Sequence, residues 1–180
     1  MRIHSNREDH NIYGYVSMYI SQKSWIDKNV EVGEGSKVYH FTVLRENVKI
    51  GDNTVIGHNV VVERDTVIGD NCTIQSQCHI TAEAEIGNNV FFGPSVVTMN
   101  ERNIANQGRT TPKIEKLVIH DGARIGAGAI LAPGITIGKN AFIHAGVFLT
   151  KDVPAGTVWG HRNGFATAKY IGQVPKEEWL

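Results

Sequence analysis

The side chains best suited to bind an anion or orient an amine are concentrated in one stretch, residues 98–118. This stretch reads TMNERNIANQGRTTPKIEKLV, carries more basic than acidic side chains and contains no histidine. Its polar groups include Asn100, Glu101, Arg102 and Arg109, which could contact a phosphate or a carboxylate. Long loops in ordered domains usually bind or catalyse something. We therefore interpret residues 98–118 as a candidate active-site loop, and the alternative is a solvated excursion.

The chain on both sides of this loop follows a six-residue period. An apolar residue returns at every sixth position from Ile26 to Phe92 and from Ile119 to Leu149, filling eighteen slots of eighteen. A small or β-branched residue stands four positions later in almost every hexad, and glycine follows the apolar residue in eight of them. An amphipathic helix would need a period of 3.6 and a simple sheet a period of two. The pattern predicts strands of about four residues and tight turns, with glycine providing positive φ or close backbone approach.

Three hexads would make one triangular coil, and successive coils would stack about 4.8 Å apart. This predicts an all-β, single-domain solenoid over residues 1–180, with coils at 26–97 and 119–154 around the inserted loop 98–118. Uncapped stacks of strands invite aggregation. We therefore expect residues 1–25 to cap the first end. Residues 155–180 would cap the other end, with a short helix around residues 166–171.

The repeated pattern of an aliphatic residue, glycine, two variable positions and a small residue is clear in residues 50–55 (IGDNTV) and 125–130 (IGAGAI). It resembles the hexapeptide-repeat acyltransferases. The resemblance implies a left-handed parallel β-helix, assembly as a homotrimer, and acyl transfer from coenzyme A. The hand comes from this resemblance alone, because crossover connections between parallel strands are usually right-handed.

Shorter motifs narrow the resemblance. Residues 91–100 (FFGPSVVTMN) are similar to the stretch that opens the active-site loop of nucleotide-linked amino-sugar N-acetyltransferases, and residues 38–41 (VYHF), 74–75 (IQ) and 150–154 (TKDVP) also match. This implies acetyl-CoA as co-substrate and a dTDP- or UDP-linked 3-amino sugar as acceptor, in surface-polysaccharide (lipopolysaccharide) precursor synthesis. The residues after Asn100 and after Gly160 depart from the family pattern, which leaves the sugar and the adenine-end contacts of coenzyme A open.

Acetyl transfer from a thioester to an amine needs a neutral amine, a line of attack and a proton acceptor. Asn100 cannot act as a base, but its side-chain oxygen can hold the amine. We expect Asn100 to be the catalytic residue that orients the amine, backbone N–H groups to polarise the carbonyl, and the departing thiolate to take the proton. The candidate substrate-binding residues are His40, Gln75, Glu101, Arg102 and Arg109.

Small residues in the last coils are the candidate track for the pantetheine arm of coenzyme A. The candidate cofactor-binding residues are Gly126, Ala127, Ala129, Ala145 and Gly146, with Lys151 and Arg162 as partners for its phosphates. The alternative for each of the small residues is that it simply suits a tight turn.

Two histidines raise the question of a metal. His40 and His58 are 18 residues apart, so they would occupy the same corner of adjacent coils and could share a zinc ion with a third ligand from a neighbour. The γ-class carbonic anhydrases share the fold, but they also need two histidines five residues apart, which this sequence lacks. We therefore predict no metal. Cys72 and Cys78 fall in small-residue slots and are expected to fill the core.

Charge and hydropathy limit the classes of partner and location that the sequence allows. Eighteen basic residues balance eighteen acidic ones, and no apolar run approaches the length of a membrane span. We expect a cytoplasmic protein that binds neither nucleic acid nor membrane. Besides N-acetyl transfer, the pattern leaves open an O-acetyltransferase or longer-chain acyltransferase, a γ-carbonic anhydrase-like protein, and a purely structural solenoid.

Overall fold

The computed structural model describes residues 18–102, 113–160 and 169–175. Within these ranges every regular element is a β-strand. The strands are β1 (Tyr19–Ile20), β2 (Trp25–Ile26), β3 (Glu31–Val32), β4 (Lys37–Val38), β5 (Val43–Leu44), β6 (Lys49–Ile50), β7 (Val55–Ile56), β8 (Val61–Val62), β9 (Val67–Ile68), β10 (Thr73–Ile74), β11 (His79–Ile80), β12 (Glu85–Ile86), β13 (Phe91–Phe92), β14 (Val97–Thr98), β15 (Val118–Ile119), β16 (Arg124–Ile125), β17 (Ile130–Leu131), β18 (Thr136–Ile137), β19 (Phe142–Ile143), β20 (Phe148–Leu149), β21 (Thr157–Gly160) and β22 (Lys169–Gln173).

These strands form three sheets that the chain visits in turn. Sheet A runs β1-β4-β7-β10-β13-β16-β19-β21-β22, sheet B runs β2-β5-β8-β11-β14-β17-β20, and sheet C runs β3-β6-β9-β12-β15-β18. All pairings are parallel except that of β21 with β22. Partners in the regular coils are 18 residues apart, as in the register of Val55 with Thr73. The predicted parallel β-helix of three hexads per coil is therefore confirmed.

The first and last strands of the β-helix differ from the sequence prediction. Parallel stacking begins at β1, where Tyr19 pairs with Lys37, and not at residue 26. At the other end β21 stacks on β19, and β22 pairs antiparallel with β21. The helix expected around residues 166–171 is wrong over 169–171, because these residues form strand β22 along the open edge of sheet A. Residues 1–17, 161–168 and 176–180 lie outside the described residues.

Two columns of side chains fill the prism. The apolar residue that opens each hexad points inward, as at Ile56 and Ile74, which are fully buried. The residue four positions later is also buried at the corner, as at Val60 and Cys72, where less room favours small side chains. Strands β1 to β20 are two residues long and not four, because nearly every turn between them includes a residue of positive φ three positions after the inward one, such as Asn59.

Glycine after the inward residue serves close packing between coils and not positive φ. A Cβ on Gly51 would lie 2.7 Å from the carbonyl carbon of Gly69 and 2.8 Å from the amide nitrogen of Asp70. The Asp70 Oδ1 atom fills the same space, where it accepts a hydrogen bond of 2.8 Å from the Asp52 amide. At Gly51 the next coil therefore occupies the space that a side chain would need.

Replacing Gly51 should therefore destabilise the stack. We expect Gly51→Ala to lower the free energy of unfolding by about 1–3 kcal/mol, since backbone atoms on the next coil must shift. Denaturant unfolding measures this change, and Gly172→Ala is the matched control because a Cβ there would meet nothing within 4 Å. Equal losses for the two variants would contradict the close-approach explanation.

Candidate active site

The prism has three edges, and the predicted site residues fall on two of them. The AB edge, between sheets A and B, consists of residues 21–24, 39–42, 57–60, 75–78, 93–96, 126–129 and 144–147. The BC edge consists of residues 27–30, 45–48, 63–66, 81–84, 99–102, 113–117, 132–135 and 150–152.

The AB edge carries His40, Gln75, Gly126, Ala127, Ala129, Ala145 and Gly146, and the BC edge carries Asn100, Glu101, Arg102 and Lys151. Sheet B separates the two groups within one chain, and along the AB edge His40 lies four coils, or about 19 Å, from Ala127. Arg109 and Arg162 lie outside the described residues.

The AB edge differs from the other two edges in charge. None of its residues is Asp or Glu, and it carries Lys23 and three histidines. The CA edge, between sheets C and A, consists of residues 33–36, 51–54, 69–72, 87–90, 120–123, 138–141 and 154–156, and it carries Glu34, Asp52, Asp70 and Asp121. The BC edge carries Asp27, Glu46, Glu63, Asp65, Glu83, Glu101, Glu115 and Asp152. The BC edge also carries seven Lys and Arg side chains, and the CA edge one. The AB edge is therefore distinguished by the absence of carboxylates and not by a surplus of cations, and an anion lying along it meets no carboxylate of the same chain.

Aromatic rings lie against one another at the first coils of the AB edge. The His40 and His58 rings stack with centroids 5.4 Å apart and an interplanar angle of 14°. Tyr39 lies 5.1 Å from His58, and Tyr19 lies 5.8 Å from Tyr39. His40 also lies 6.2 Å from the ring of Phe41. We call Tyr19, Tyr39, His40, Phe41 and His58 the ring cluster; its imidazoles can donate hydrogen bonds to an anionic ligand.

A backbone amide is open farther along the AB edge. On the CA edge the corresponding amide is capped by the next coil, as where the Asp70 amide donates to Asn88 Oδ1 at 2.7 Å. Ala127 occupies this slot in the sixth coil, and the next coil presents Ala145, whose side chain has no acceptor. Within the described part of the chain the Ala127 N–H therefore has no hydrogen-bond acceptor. It is available to a carbonyl oxygen of a ligand.

The Gly and Ala residues predicted to contact coenzyme A occupy different structural environments. A Cβ on Gly146 would meet nothing within 4 Å, which leaves open space beside the exposed residues Ala145 and Gly146. Gly126 instead packs against the next coil, since a Cβ there would lie 2.6 Å from the carbonyl carbon of His144. Ala129 is fully buried, and its carbonyl accepts from Val97 at 3.0 Å. Ala129 is therefore a core residue, which corrects its prediction as a cofactor contact.

The described ends of the candidate loop are held together on the BC edge. The Glu115 amide donates to the Asn100 carbonyl at 2.7 Å. The Arg102 guanidinium pairs with Glu115 at 3.1 Å and donates to the Pro133 carbonyl at 2.9 Å. Arg102 thus anchors the loop base, a role that its prediction as a substrate contact did not include. Within residues 18–102, 113–160 and 169–175 no group hydrogen-bonds to the side-chain amide of Asn100, so it is available to a ligand.

Neither a metal nor a cysteine nucleophile emerges from the described residues. No three His, Cys, Asp or Glu side chains among them are arranged to hold a metal ion. Burial raises the pKa of the Cys78 thiol to about 11 and also raises the pKa of Cys72. Each Sγ lies near a backbone carbonyl oxygen, that of Gly87 at 3.0 Å for Cys72 and that of Gly93 at 3.2 Å for Cys78. Both thiols stay protonated at neutral pH, so neither is suited to carry an acyl group.

Comparison with known proteins shows the family. The model described as bacterial transferase hexapeptide (six repeats) matches residues 29–64, 65–99 and 116–151, which is more than half of the chain. The chain belongs to this hexapeptide-repeat transferase family. Membership agrees with the left-handed winding that the sequence resemblance implied. Among the described residues of this hexapeptide-repeat protein, no helix is long and apolar enough to cross a membrane.

Individual relatives are more distant. A 2,3,4,5-tetrahydropyridine-2,6-dicarboxylate N-acetyltransferase of Staphylococcus aureus (strain bovine RF122 / ET3-1) is 45% identical over 47 residues, which are 26% of this chain and 20% of the relative. The chain thus matches about a fifth of the length of that curated relative. Family membership therefore depends on the repeat pattern and not on this local match.

Solved structures share the fold of this hexapeptide-repeat protein. AntD, an N-acyltransferase from Bacillus cereus in complex with dTDP and 3-hydroxybutyryl-CoA, has a TM-score of 0.60 at 16% identity and covers 91% of this chain and 86% of its own. PerB from Caulobacter crescentus, in complex with CoA and GDP-perosamine, has a TM-score of 0.55 at 20% identity, covering 88% and 58%. The acetyltransferase domain of PglB from Neisseria gonorrhoeae has a TM-score of 0.55 at 17% identity, covering 87% and 58%.

The sequence analysis of this hexapeptide-repeat protein did not assign His58 or Phe41 to the candidate ligand-binding site. His58 was considered as a zinc ligand beside His40 or as part of a stacked pair with it; the structure shows the stacked pair, and the sequence had given His58 no contact with the substrate. Phe41 was quoted only as part of a motif, yet it stands in the turn slot that Asn or Gly fills in most other hexads. An aromatic residue out of place in a strict repeat was the signal that could have revealed it.

Proposed function

We propose that this protein is an acyltransferase that moves an acetyl group from acetyl-CoA to the amine of a nucleotide-linked amino sugar. The observation that carries the proposal is the AB edge, which lacks carboxylates and presents an open amide at Ala127. Both substrates of this reaction carry phosphates, which meet no carboxylate of the same chain along that edge. Family membership and the ligands of AntD and PerB support the same reaction class. A role in surface-polysaccharide precursor synthesis and a cytoplasmic location stay predictions.

The chemistry needs few protein groups. The neutral amine attacks the thioester carbonyl, so that a C–N bond forms and the C–S bond breaks, and the leaving thiolate takes the proton that the amine loses. The Asn100 side-chain oxygen accepts a hydrogen bond from the amine and orients its lone pair. The Ala127 N–H would donate to a carbonyl of the acyl donor. The pantetheine arm would lie in the open space beside Ala145 and Gly146.

The division of the site between two edges favours a homotrimer. Sheet B, which lies between these edges, presents an outward column that is apolar at six of its seven positions. The column consists of Trp25, Val43, Val61, His79, Val97, Ile130 and Phe148. Sheet C presents instead Glu31, Lys49, Val67, Glu85, Val118 and Thr136.

Packing three copies with sheet B toward a common axis would bury this column. It would also bring the BC edge of each copy beside the AB edge of the next, because the two edges border sheet B on opposite sides. Asn100, Glu101 and Lys151 of one copy would then lie near Ala127 and Ala145 of its neighbour. Each site in this arrangement belongs to two copies.

Thiol release tests the reaction. We expect acetyl-CoA to release free thiol when mixed with the protein and a dTDP-, UDP- or GDP-linked amino sugar, with 3-hydroxybutyryl-CoA as the longer-chain donor for comparison. The matched control acceptor is the same nucleotide sugar with a hydroxyl in place of the amine. Release with the hydroxyl acceptor alone would identify an O-acyltransferase, and no release with any acceptor would refute acyl transfer to nucleotide sugars.

A further inference from the structure

Phe41 is an unusual residue for the positive-φ turn position of the repeat. The third residue after the inward apolar side chain has positive φ in the hexads that open at Ile26 through Phe92 and at Ile119 through Ile143. This slot holds Gly, Asn, Asp, Gln, Glu or Ser in all of them except at Phe41, which has φ 62°. Positive φ is strained for a bulky residue, whereas Asn and Gly adopt it readily. The Phe41 side chain is 59% exposed, so burial in the core does not offset the strain. Strain of this kind is retained where it serves a function.

The surroundings of Phe41 indicate what it would contact. Lys23 Nζ lies 5.7 Å from the centroid of its ring, and the His40 ring lies 6.2 Å from it and stacks in turn on His58. The edge around them carries no carboxylate. A flat apolar ring therefore stands next to three groups that can donate hydrogen bonds to phosphate oxygens. A ligand that matches this arrangement has an aromatic base joined to a diphosphate.

We propose that Phe41 is the stacking platform for the base of the nucleoside diphosphate in the acceptor, with Lys23, His40 and His58 as donors to its phosphates. This inference rests on the proposed function, since it assigns the nucleotide half of the acceptor a place at the ring cluster. Stacking on an aromatic ring discriminates weakly among bases, because every base has a π-face. The site should therefore accept thymine, uracil and guanine nucleotides with similar affinity.

Phe41 can be replaced by Asn without straining the turn, because Asn adopts positive φ more readily than Phe. Phe41→Asn should raise the unfolding midpoint and weaken binding of dTDP, UDP and GDP about ten- to hundredfold, as expected for loss of one stacked base. Phe41→Tyr keeps the ring and should bind within about threefold of the parent. Glu83→Asn is the matched control: it changes the same turn slot (φ 64°) on the BC edge and should leave nucleotide binding unchanged.

Calorimetric titration with the three nucleoside diphosphates, alongside coenzyme A and the oligomeric mass, decides the question. Weaker nucleotide binding in Phe41→Asn, with parent-like coenzyme A binding and mass, is the expected result. Parent-like nucleotide binding in Phe41→Asn, or no nucleotide binding by the parent, would overturn the inference. So would a loss of oligomeric mass, which would make Phe41 a subunit contact.

The thiol-release assay separates this inference from the proposed function. If the parent acetylates a nucleotide-linked amino sugar while Phe41→Asn keeps the parent KM for it, the reaction stands and the platform is refuted. If no acceptor yields thiol but the nucleoside diphosphates bind and Phe41→Asn weakens them, the platform stands and the reaction is refuted.

Discussion

Ile68→Asp is expected to abolish the folded state. Ile68 is 1% exposed in strand β9, where it stacks in register between Ile50 and Ile86 of the adjacent coils. The substitution removes apolar contacts worth about 2–5 kcal/mol and places a carboxylate where nothing can pair with it, at a further cost of several kcal/mol. The sum approaches the whole stability of a domain, which is about 5–15 kcal/mol. Circular dichroism and denaturant unfolding should show no cooperative transition.

The neighbouring residue supplies the control. Val67 lies on the same strand but points outward, and it is 42% exposed. Val67→Asp introduces the same carboxylate one residue away, so it should fold with a loss of about 1 kcal/mol or less. A soluble, cooperatively folded Ile68→Asp protein would contradict the inward assignment of the whole column.

Asn100→Ala should lower kcat about 100-fold while leaving the protein folded. The amide side chain is proposed to aim the amine at the thioester, and loss of such positioning costs rate more than binding. The fold should be unaffected, because the contact that the residue makes at the loop base is through its main-chain carbonyl, which accepts from Glu115. Steady-state kinetics with a nucleotide-linked amino sugar measures kcat, and thermal unfolding confirms the fold.

Asn100→Asp sharpens the assignment. It keeps an oxygen that can accept the amine hydrogen bond, so it should retain more activity than Asn100→Ala. Parent-level turnover by Asn100→Ala would remove Asn100 from the mechanism. An equal loss in both variants would show that the oxygen is not what matters.

Mixing two inactive variants tests whether the site is shared between copies. Ala145→Glu places a carboxylate on the exposed part of the AB edge and should block the acyl donor, whereas Asn100→Ala damages the loop on the BC edge. If each site combines the two edges from different copies, random mixed trimers should recover about a quarter of the parental sites. No recovery on reassembly would favour a site completed within one chain.

The sequence predicted the β-helix better than the candidate site, because the β-helix depends on a repeated pattern of burial and the site depends on individual residues. The inward column repeats every six residues, and each member contacts its counterparts in the coils above and below, so the period alone located Ile56 and Ile74 correctly. The assignment of Ala129 failed because a small residue fits both a buried corner and a ligand track. The helix expected near residue 170 was wrong because local propensity does not register the open edge of sheet A that strand β22 fills.

The arrangement of the candidate site was beyond the sequence for a related reason. Spacing placed His40 and His58 on one edge, and the same spacing could have shown that this edge has no Asp or Glu. The open amide of Ala127 is invisible in a sequence, because it depends on the side chain that the next coil presents. Arg102 was predicted as a substrate contact, whereas its bonds to Glu115 and Pro133 depend on how the loop returns to the prism.

The loop between β14 and β15 shows how this architecture tolerates changes in length. Glu85 pairs with Val118, 33 positions ahead, although regular partners are 18 apart, and the winding continues in phase beyond the insertion. A corner can therefore absorb extra chain without disturbing the coils beyond it. An insertion of six ordinary repeat residues would instead rotate every later coil by a third of a turn, carrying Ala127 and Ala145 to a different side of the molecule. Evolution can thus lengthen such a molecule safely by whole turns or by bulges at its corners.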